Sequence, residues 1–180
     1  GKILYEQTDE ENYLTTAQLI QILEEKYGIH SHRATIAAEI ELLKQFGLDI
    51  ETVKSTQNKY HLVSREFDIA ELKLLIDAVE SSKFISAKKS EQLVAKISKF
   101  AGSHKGNELK RNIFPEGRIK PVNEQILLIV DAVNEAINSN KKIAFQYYQY
   151  NVRKEKKVKN DGDQYVFSPC YLVWNGDYYY

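Results

Sequence analysis

The chain of 180 residues has a single cysteine, Cys170, and no long apolar run. A single cysteine excludes an internal disulfide framework and suits a reducing compartment, so we expect a cytoplasmic protein. No apolar stretch approaches the roughly 20 residues that span a bilayer, and no signal peptide opens the chain, so we expect no membrane association. A hydrophobic content of 43% nevertheless supplies enough apolar material for buried cores.

The sequence also lacks the motifs that carry catalysis, such as a glycine-rich phosphate loop, a serine-centred elbow or a metalloprotease motif. His30 and His32 flank Ser31, but two histidines without a third ligand nearby make a poor metal site. Cys170 has no histidine near it in sequence, and we expect it to be a buried small residue in a strand. We therefore expect no enzyme activity, no metal and no other cofactor.

The formal net charge at pH 7 is zero, which gives no support to a strongly basic nucleic-acid-binding protein. Residues 1–63 carry six basic and ten acidic residues, residues 64–121 carry twelve and eight, and residues 122–180 carry seven of each. The acidic first third counts against DNA binding there, because phosphate neutralisation supplies most non-specific affinity. Many of its acids, however, lie outside the elements that would contact DNA.

The sequence does contain a helical pattern over residues 31–46, SHRATIAAEIELLKQF. Ile36, Ile40 and Leu43 recur on one stripe of this helix, and Ser31 is placed to cap its first turn.

A second helix is predicted just upstream, over residues 15–27. Thr15 and Gln18 have the spacing of a capping box, and Gly28 stands at the C-cap position. Two short helices joined by a tight glycine-containing turn form the unit that places its second helix in the DNA major groove.

Two β-prone runs, residues 48–54 and 59–63, follow these helices and predict a hairpin. Helix, turn, helix and hairpin is the order of a winged helix-turn-helix. A three-helix bundle is the alternative, and it explains the helices but not the hairpin.

The middle of the chain predicts helices over residues 69–84, 86–100 and 122–139. The polar segment 101–121 is long for a loop inside one domain, which indicates a linker or a functional arm.

The C-terminal third predicts strands over residues 143–150 and 164–173. The basic run 153–159 between them reads as a solvated loop, with an anion contact as the alternative. Residues 175–177, Asn-Gly-Asp, predict a hairpin turn. Since the chain stops within the following strand, we expect it to be part of a longer protein or to be completed by another chain. Alternation predicts that about half of the aromatic residues here are core.

Residues 165–180, YVFSPCYLVWNGDYYY, resemble the opening of a WYL domain. The pairing of such a domain with an N-terminal winged helix resembles the DeoR-type regulators that contain WYL domains. Ala37 and Ala38 stand where that family often has arginines, and Lys59 replaces a glycine usual before Tyr60 of the wing. The residues of the helix that fit the family outline are Ser31, Arg33, Thr35, Ile36, Glu39 and Ile40.

The resemblance implies an α+β protein with three parts: a winged helix-turn-helix over residues 1–63, a helical linker or dimerisation segment over 64–140, and the truncated start of an Sm/SH3-like β-barrel, the WYL domain, over 141–180. It also implies a transcriptional regulator that binds double-stranded DNA as a homodimer. Its C-terminal domain would sense a small molecule, a nucleotide or an oligonucleotide as effector.

The residues expected to contact DNA come from the first turn of each helix and from the tip of the hairpin: Thr15, Thr16, Ser31, His32, Arg33, Ala34, Thr35, Ala38, Lys54, Gln57, Asn58 and Lys59. For Arg33 the alternative is a solvated surface arginine, for Thr15 it is simple helix capping, and for the four residues of the hairpin tip it is an ordinary polar hairpin. The residues expected to contact an effector are Tyr148, Arg153, Ser168 and Tyr171. The competing functional hypothesis is a ligand or single-stranded nucleic-acid sensor whose winged domain mediates protein contacts.

Overall fold

A computed structural model of the chain describes residues 1–111, 120–121 and 124–180. It is a mixed α+β protein whose sheets are small. The chain divides into two compact units, Gly1–Ser81 with Ser90–Arg118, and Ser82–Lys89 with Ile119–Tyr180. In the described part of the chain, no helix is both long and apolar enough to cross a membrane.

The N-terminal part of the first unit packs three helices on a three-stranded antiparallel sheet. The strand order is β1-β3-β2, with Leu14 opposite Tyr60 and Ile50 opposite Leu62. The hairpin predicted after the second helix is confirmed as β2 and β3, whereas the two-residue strand β1 was not predicted. The elements are α1 (Lys2–Gln7), β1 (Leu14–Thr15), α2 (Thr16–Tyr27), α3 (Arg33–Gln45), β2 (Ile50–Val53) and β3 (Lys59–Leu62). Their shared core consists of Leu4, Leu14, Leu19, Ile36, Ile40, Ile50, Tyr60 and Leu62.

The ends of α2 follow from its sequence. Thr15 and Gln18 form the predicted capping box, and Gly28 ends the helix in the left-handed conformation at φ +65°. The start of α3 corrects the prediction for Ser31. The helix begins at Arg33, and the N-cap residue is His32, whose side chain makes no capping hydrogen bond.

The other helices of the first unit form a second core. Leu72, Ile76, Val94, Ala101 and Leu109 are buried in it. It is built from α4 (Ile69–Ser81), α5 (Ala87–Ile97), a 3₁₀ turn (Ser98–Ala101) and α6 (Gly102–Arg111).

Helix α6 corrects the expectation of a linker or arm at 101–121. Its glycine content reads as a loop in sequence, but Gly106 lies where the helix crosses close to the 3₁₀ turn. A Cβ at position 106 would stand 2.3 Å from the Ser98 carbonyl oxygen, so only glycine permits this approach. The part of the segment over 112–119 lies outside the described residues.

Arg65 joins the two cores of the first unit. Its Nη2 donates to the carbonyl oxygens of Tyr5, at 2.9 Å, and Thr8, at 2.6 Å, and its Nη1 donates to that of Phe100 at 3.1 Å. The guanidinium also lies over the Tyr5 ring, 4.8 Å from its centroid. One side chain thus fixes α1 against the end of α5 and its 3₁₀ turn.

The described residues of the second unit contain the start of α5, the helix α7 (Ile126–Asn138), a 3₁₀ turn (Asn160–Gly162) and three separate two-stranded antiparallel ladders. The start of α7 was predicted at residue 122, but 122 and 123 lie outside the described residues. The strands are β4 (Ile143–Phe145), β5 (Tyr148–Tyr150), β6 (Lys156–Val158), β7 (Tyr165–Phe167), β8 (Trp174–Asn175) and β9 (Tyr178–Tyr179), paired as β4 with β7, β5 with β6, and β8 with β9.

Several predictions for this region need correction. The described strands form three separate two-stranded ladders and no barrel, so the truncated start of an Sm/SH3-like barrel stays a prediction. The basic run 153–159 is not all loop, since it contains β6. Cys170 is exposed and lies in a loop rather than a strand. The hairpin predicted at 175–177 is confirmed, with Gly176 at φ +67°.

The expectation that about half of the C-terminal aromatics form a core is also wrong. Between residues 143 and 180, all of which the structure describes, no residue is buried. Phe84 alone among the aromatic residues of the second unit is buried, at 6% exposure, and its ring makes edge contacts with Trp174 and Tyr179.

Candidate nucleic-acid interface

The capping box decides what the first turn of α2 can offer to a ligand. The Thr15 hydroxyl accepts from the Gln18 amide at 3.2 Å and lies 3.0 Å from Gln18 Oε1, while the Thr15 amide donates to the same Oε1 at 2.8 Å. The hydroxyl and the amide of Thr15 are therefore both hydrogen-bonded within the first turn of α2, as the alternative of simple helix capping predicts. Thr16, one residue later, is half-buried beside the hairpin.

The tip of the β2–β3 hairpin lies against this helix start. The Thr16 amide donates to the Asn58 carbonyl oxygen at 3.3 Å, and the Thr16 hydroxyl lies 3.5 Å from the Tyr60 hydroxyl oxygen. The Ser55 hydroxyl donates to the Gln57 carbonyl oxygen at 2.7 Å, which orders the turn at the tip. The hairpin is thus joined to the first residue of α2 next to its tip, through Asn58 and Tyr60.

Helix α3 presents its first turns to the same place. Ile36 and Ile40 are buried at 6% and 4% exposure, whereas Arg33 and Ala37 are exposed on the side toward the hairpin. The three elements surround one recess of about 220 Å³, which we call the recess. It is lined by Thr16 and Ala17 of α2, Arg33 and Ala37 of α3, and Ser55, Thr56, Gln57, Asn58 and Tyr60 of the hairpin.

The recess gathers four of the twelve residues expected to contact DNA, namely Thr16, Arg33, Gln57 and Asn58. Sequence reasoning did not include the other five lining residues among the DNA contacts, because none of them carries a charge; they are Ala17, Ala37, Ser55, Thr56 and Tyr60. The remaining expected residues border the recess or stand elsewhere on the same elements. Thr15 and Ser31 are half-buried, and the exposed ones are His32, Ala34, Thr35, Ala38, Lys54 and Lys59.

A longer groove continues from the recess between α3 and β2, and we call it the α3–hairpin groove. Its volume is about 740 Å³, and Ala37, Glu41 and Lys44 line it from α3 at helical spacing. Lys54 and Asn58 line it from the hairpin. The exposed face of α3 that includes Arg33 therefore faces the hairpin along its whole length.

Of the ten acidic residues of the first third, three line the α3–hairpin groove, namely Glu41, Asp49 and Glu51, and the others line neither the groove nor the recess. Glu6 pairs with Lys2 at 3.8 Å, Glu11 with Lys105 at 3.5 Å, and Glu24 approaches His30 at 3.2 Å. Glu6, Glu11 and Glu24 thus line neither the recess nor the α3–hairpin groove. The local charge of the recess therefore comes from Arg33 rather than from the acidic balance of residues 1–63.

The four residues expected to contact an effector are not brought to one site by the described contacts. Tyr148 lies in β5 under Lys156, whose Nζ stands 4.0 Å from the ring centroid. Arg153, Ser168 and Tyr171 are exposed and lie in connecting segments. Tyr171 has 84% of its surface exposed, so nothing in its own unit encloses it.

Within the described residues, no group of three or more His, Cys, Asp and Glu side chains is arranged to hold a metal ion. No protein-family model, no curated protein and no solved structure matches the chain.

Proposed function

We propose that the chain is a DNA-binding transcriptional regulator in which residues 1–63 act as a winged helix-turn-helix, with α3 as the recognition helix and the β2–β3 hairpin as the wing. The observation that carries the proposal is the recess, where the first turns of α2 and α3 meet the hairpin tip on one exposed surface. A helix that enters the major groove contacts base edges mainly with its N-terminal residues, while flanking elements contact phosphates.

The residues of this surface divide by chemistry. Arg33 is the base reader, because its guanidinium can pair bidentately with a guanine. Ala34 and Ala38 allow close approach of the helix and can meet thymine methyl groups. The hairpin residues Gln57 and Asn58 are suited to backbone contacts. Thr15 is engaged in its cap, and Thr16 is engaged with Asn58 and Tyr60 of the hairpin. The start of α2 therefore contributes the positive end of its helix dipole, which favours a phosphate, rather than free hydroxyl groups.

With one arginine and few other cations, a single copy of the chain has a low affinity for DNA phosphates. We therefore propose a homodimer, which doubles the number of contacts. The effector-sensing role is proposed for residues 141–180, on the resemblance to a WYL domain. Exposed tyrosines beside lysines on the β5–β6 ladder support it. An effector changes DNA affinity only if it binds the free and DNA-bound arrangements unequally.

The test is a fluorescence anisotropy titration of the full chain on double-stranded DNA selected from a random pool, over a salt series and against competitor DNA. Arg33→Ala is expected to cost about 1–3 kcal/mol of binding free energy and to relax the preference for guanine. Lys26→Ala is the matched control, because it removes one exposed positive charge from the opposite end of α2. A wild-type chain that binds no selected sequence more tightly than competitor DNA would refute the proposal.

The second candidate is a ligand or single-stranded nucleic-acid sensor whose N-terminal domain mediates protein contacts. The acidic balance of residues 1–63 and the exposed tyrosines of the β5–β6 ladder favour it. The same titration separates the two candidates: an Arg33→Ala variant whose binding to every DNA equals that of the wild type favours the second.

A further inference from the structure

Three acidic residues line the α3–hairpin groove, namely Glu41, Asp49 and Glu51, and each opposes DNA binding there; Glu41 is the one that α3 contributes. It lies on the same face of α3 as Ala37, one turn beyond the recess, and 66% of its side chain is exposed. A free carboxylate in this position would repel the phosphates that the recess and the hairpin are proposed to approach. What happens to the charge of Glu41 therefore matters for the interface.

Lys44, three residues further along the helix, accounts for that charge. Its Nζ donates to Glu41 Oε1 at 2.9 Å and to Thr52 Oγ1 of β2 at 3.1 Å. The Lys44 side chain is 29% exposed, so it is the more enclosed partner of the pair. The ammonium thus lies between α3 and β2 and is bound to one residue of each.

We propose that Lys44 is a positioning residue of the DNA interface: it neutralises Glu41 and holds the β2–β3 hairpin at a fixed distance from α3, without contacting DNA itself. This inference rests on the proposed function, since the charge of Glu41 has a consequence only if phosphates approach the groove. The Thr52 bond distinguishes this arrangement from an ordinary pair within one helix. An exposed ion pair adds little to the free energy of folding. Folding stability alone therefore does not explain why the Lys44 ammonium is bound to both α3 and β2.

The opposite mechanism is that Lys44 contacts a phosphate directly, and the two mechanisms differ in a double mutant. If Lys44 neutralises Glu41, Lys44→Ala weakens DNA binding only because it uncovers the carboxylate. Removing that carboxylate as well, in Lys44→Ala/Glu41→Gln, must then restore binding. If Lys44 binds phosphate, the second substitution relieves the repulsion but does not replace the lost phosphate contact, so the double variant stays weaker than the wild type.

The experiment is a set of anisotropy titrations of the wild-type chain, Lys44→Ala, Glu41→Gln and the double variant on the same selected duplex DNA at low and high salt. We expect Lys44→Ala to weaken binding about fivefold at low salt, the double variant to lie within about twofold of the wild type, and the difference to shrink at high salt. Lys2→Ala is the matched control, because it breaks another lysine–glutamate pair, on α1.

Thr52→Val tests the positioning part separately, because it releases Lys44 from β2 and leaves both charges in place. It is expected to weaken binding about twofold and to leave thermal unfolding almost unchanged. If Lys44→Ala fails to fold by circular dichroism, Lys44→Gln replaces it in the same cycle.

The outcomes separate this inference from the function on which it rests. A wild-type chain without DNA affinity ends both. A wild-type chain that binds, with Lys44→Ala equal to it, overturns the inference alone. A double variant that stays more than about twofold weaker than the wild type also overturns it and assigns Lys44 to direct phosphate contact.

Discussion

The region 1–111 and the region 143–180 use similar residues in opposite ways. In the first, apolar side chains of helices and strands meet in two buried cores. In the second, valines and aromatics stand on two-stranded ladders, and none of its residues is buried, although all are described. The first region is therefore held by side-chain burial, and the second by backbone pairing of short strands.

This difference explains why the two regions differ in how firmly their sequence specifies them. A residue buried on one face fixes strand register, because a shift by one position would expose the whole face. Tyr60 at 2% exposure and Leu62 at 5% fix β3 in this way. Val166 is 59% exposed and Phe167 is 47% exposed, so neither side chain fixes the register of β7. Isolated two-stranded hairpins are also only marginally stable in water.

The largest effect that tests this comparison is the loss of a core side chain. Leu72→Ala removes a side chain with 0% exposure and is expected to lower the free energy of unfolding by about 2–5 kcal/mol. Leu74→Ala, on the same helix at 70% exposure, is the matched control and is expected to change it by less than about 0.5 kcal/mol. Urea unfolding followed by circular dichroism measures both.

Urea unfolding of Val166→Ala makes the same test in the region 143–180. Because Val166 is exposed, its truncation is expected to cost less than about 0.5 kcal/mol. A loss as large as that of Leu72→Ala would break the comparison, since it would mean that the face of β7 is covered in solution.

The sequence predicted what local chemistry and periodicity decide. The capping box of Thr15, the left-handed Gly28 and the hairpin at 48–63 each depend on a few neighbouring residues, and all three are present. The predictions that failed depend on distant partners. Helix α6 was missed because Gly106 is explained only by the Ser98 carbonyl oxygen beside it.

In the candidate site, too, only the features that depend on neighbouring residues could be predicted. Helical periodicity placed Arg33 on an exposed face, and turn chemistry placed Gln57 and Asn58 at the hairpin tip. Their meeting with Thr16 in the recess depends on β1, which has two residues and no periodicity to read. The role of Lys44 could not be predicted either, because its partner Thr52 lies on another element.

A smaller effect compares hydrogen bonds in the two regions. The Thr8 hydroxyl is buried, donates to the Leu4 carbonyl oxygen at 2.7 Å and accepts from the Leu62 amide at 3.0 Å. Thr8→Val leaves that amide buried without its partner, so we expect a loss of about 1–3 kcal/mol. Gln146 donates to the Gly162 carbonyl oxygen at 2.8 Å, but on the surface. Gln146→Ala is expected to cost less than about 0.5 kcal/mol, because water replaces the bond.

Equal losses in these two variants would contradict the distinction between a region held by burial and a region held by exposed backbone pairing. Thermal unfolding followed by circular dichroism is sufficient to rank them. Thr56→Val serves as a control for the chemistry of the substitution, because Thr56 is exposed in the hairpin turn.

The smallest expected effect is a pH dependence of the stability of the first region. Each region has a turn closed by one side chain. In the first, Asp9 accepts from the Glu11 amide at 3.0 Å, the Asn12 amide at 2.9 Å and the Asn12 side chain at 2.7 Å. In the second, the neutral Asn151 accepts from the Glu155 amide at 2.9 Å, and its side-chain amide donates to the Glu155 carboxylate at 2.7 Å. Only in the first turn is the group that accepts from backbone amides a charged carboxylate.

Burial by itself raises the pKa of Asp9, but the hydrogen bonds from Asn12 and the Glu11 amide, together with the charge of His104, outweigh it, and the pKa is lowered from 3.8. A carboxyl group whose pKa is lower in the folded state stabilises the fold above its unfolded pKa, and this contribution is lost as the pH falls through the folded value. Asp9→Asn should therefore cost about 1 kcal/mol at neutral pH.

Because protonated Asp9 and the asparagine are both neutral, the difference between wild type and Asp9→Asn must shrink as the pH falls below 3.8, the ordinary value of the group. Urea unfolding at a series of pH values measures it, with Asp161→Asn as the control because Asp161 is an exposed aspartate of the second region. A difference that stays constant down to acid pH would show that Asp9 acts by shape rather than by charge. The turn at Asp9 would then be equivalent to that at Asn151, and the two regions would differ in burial alone.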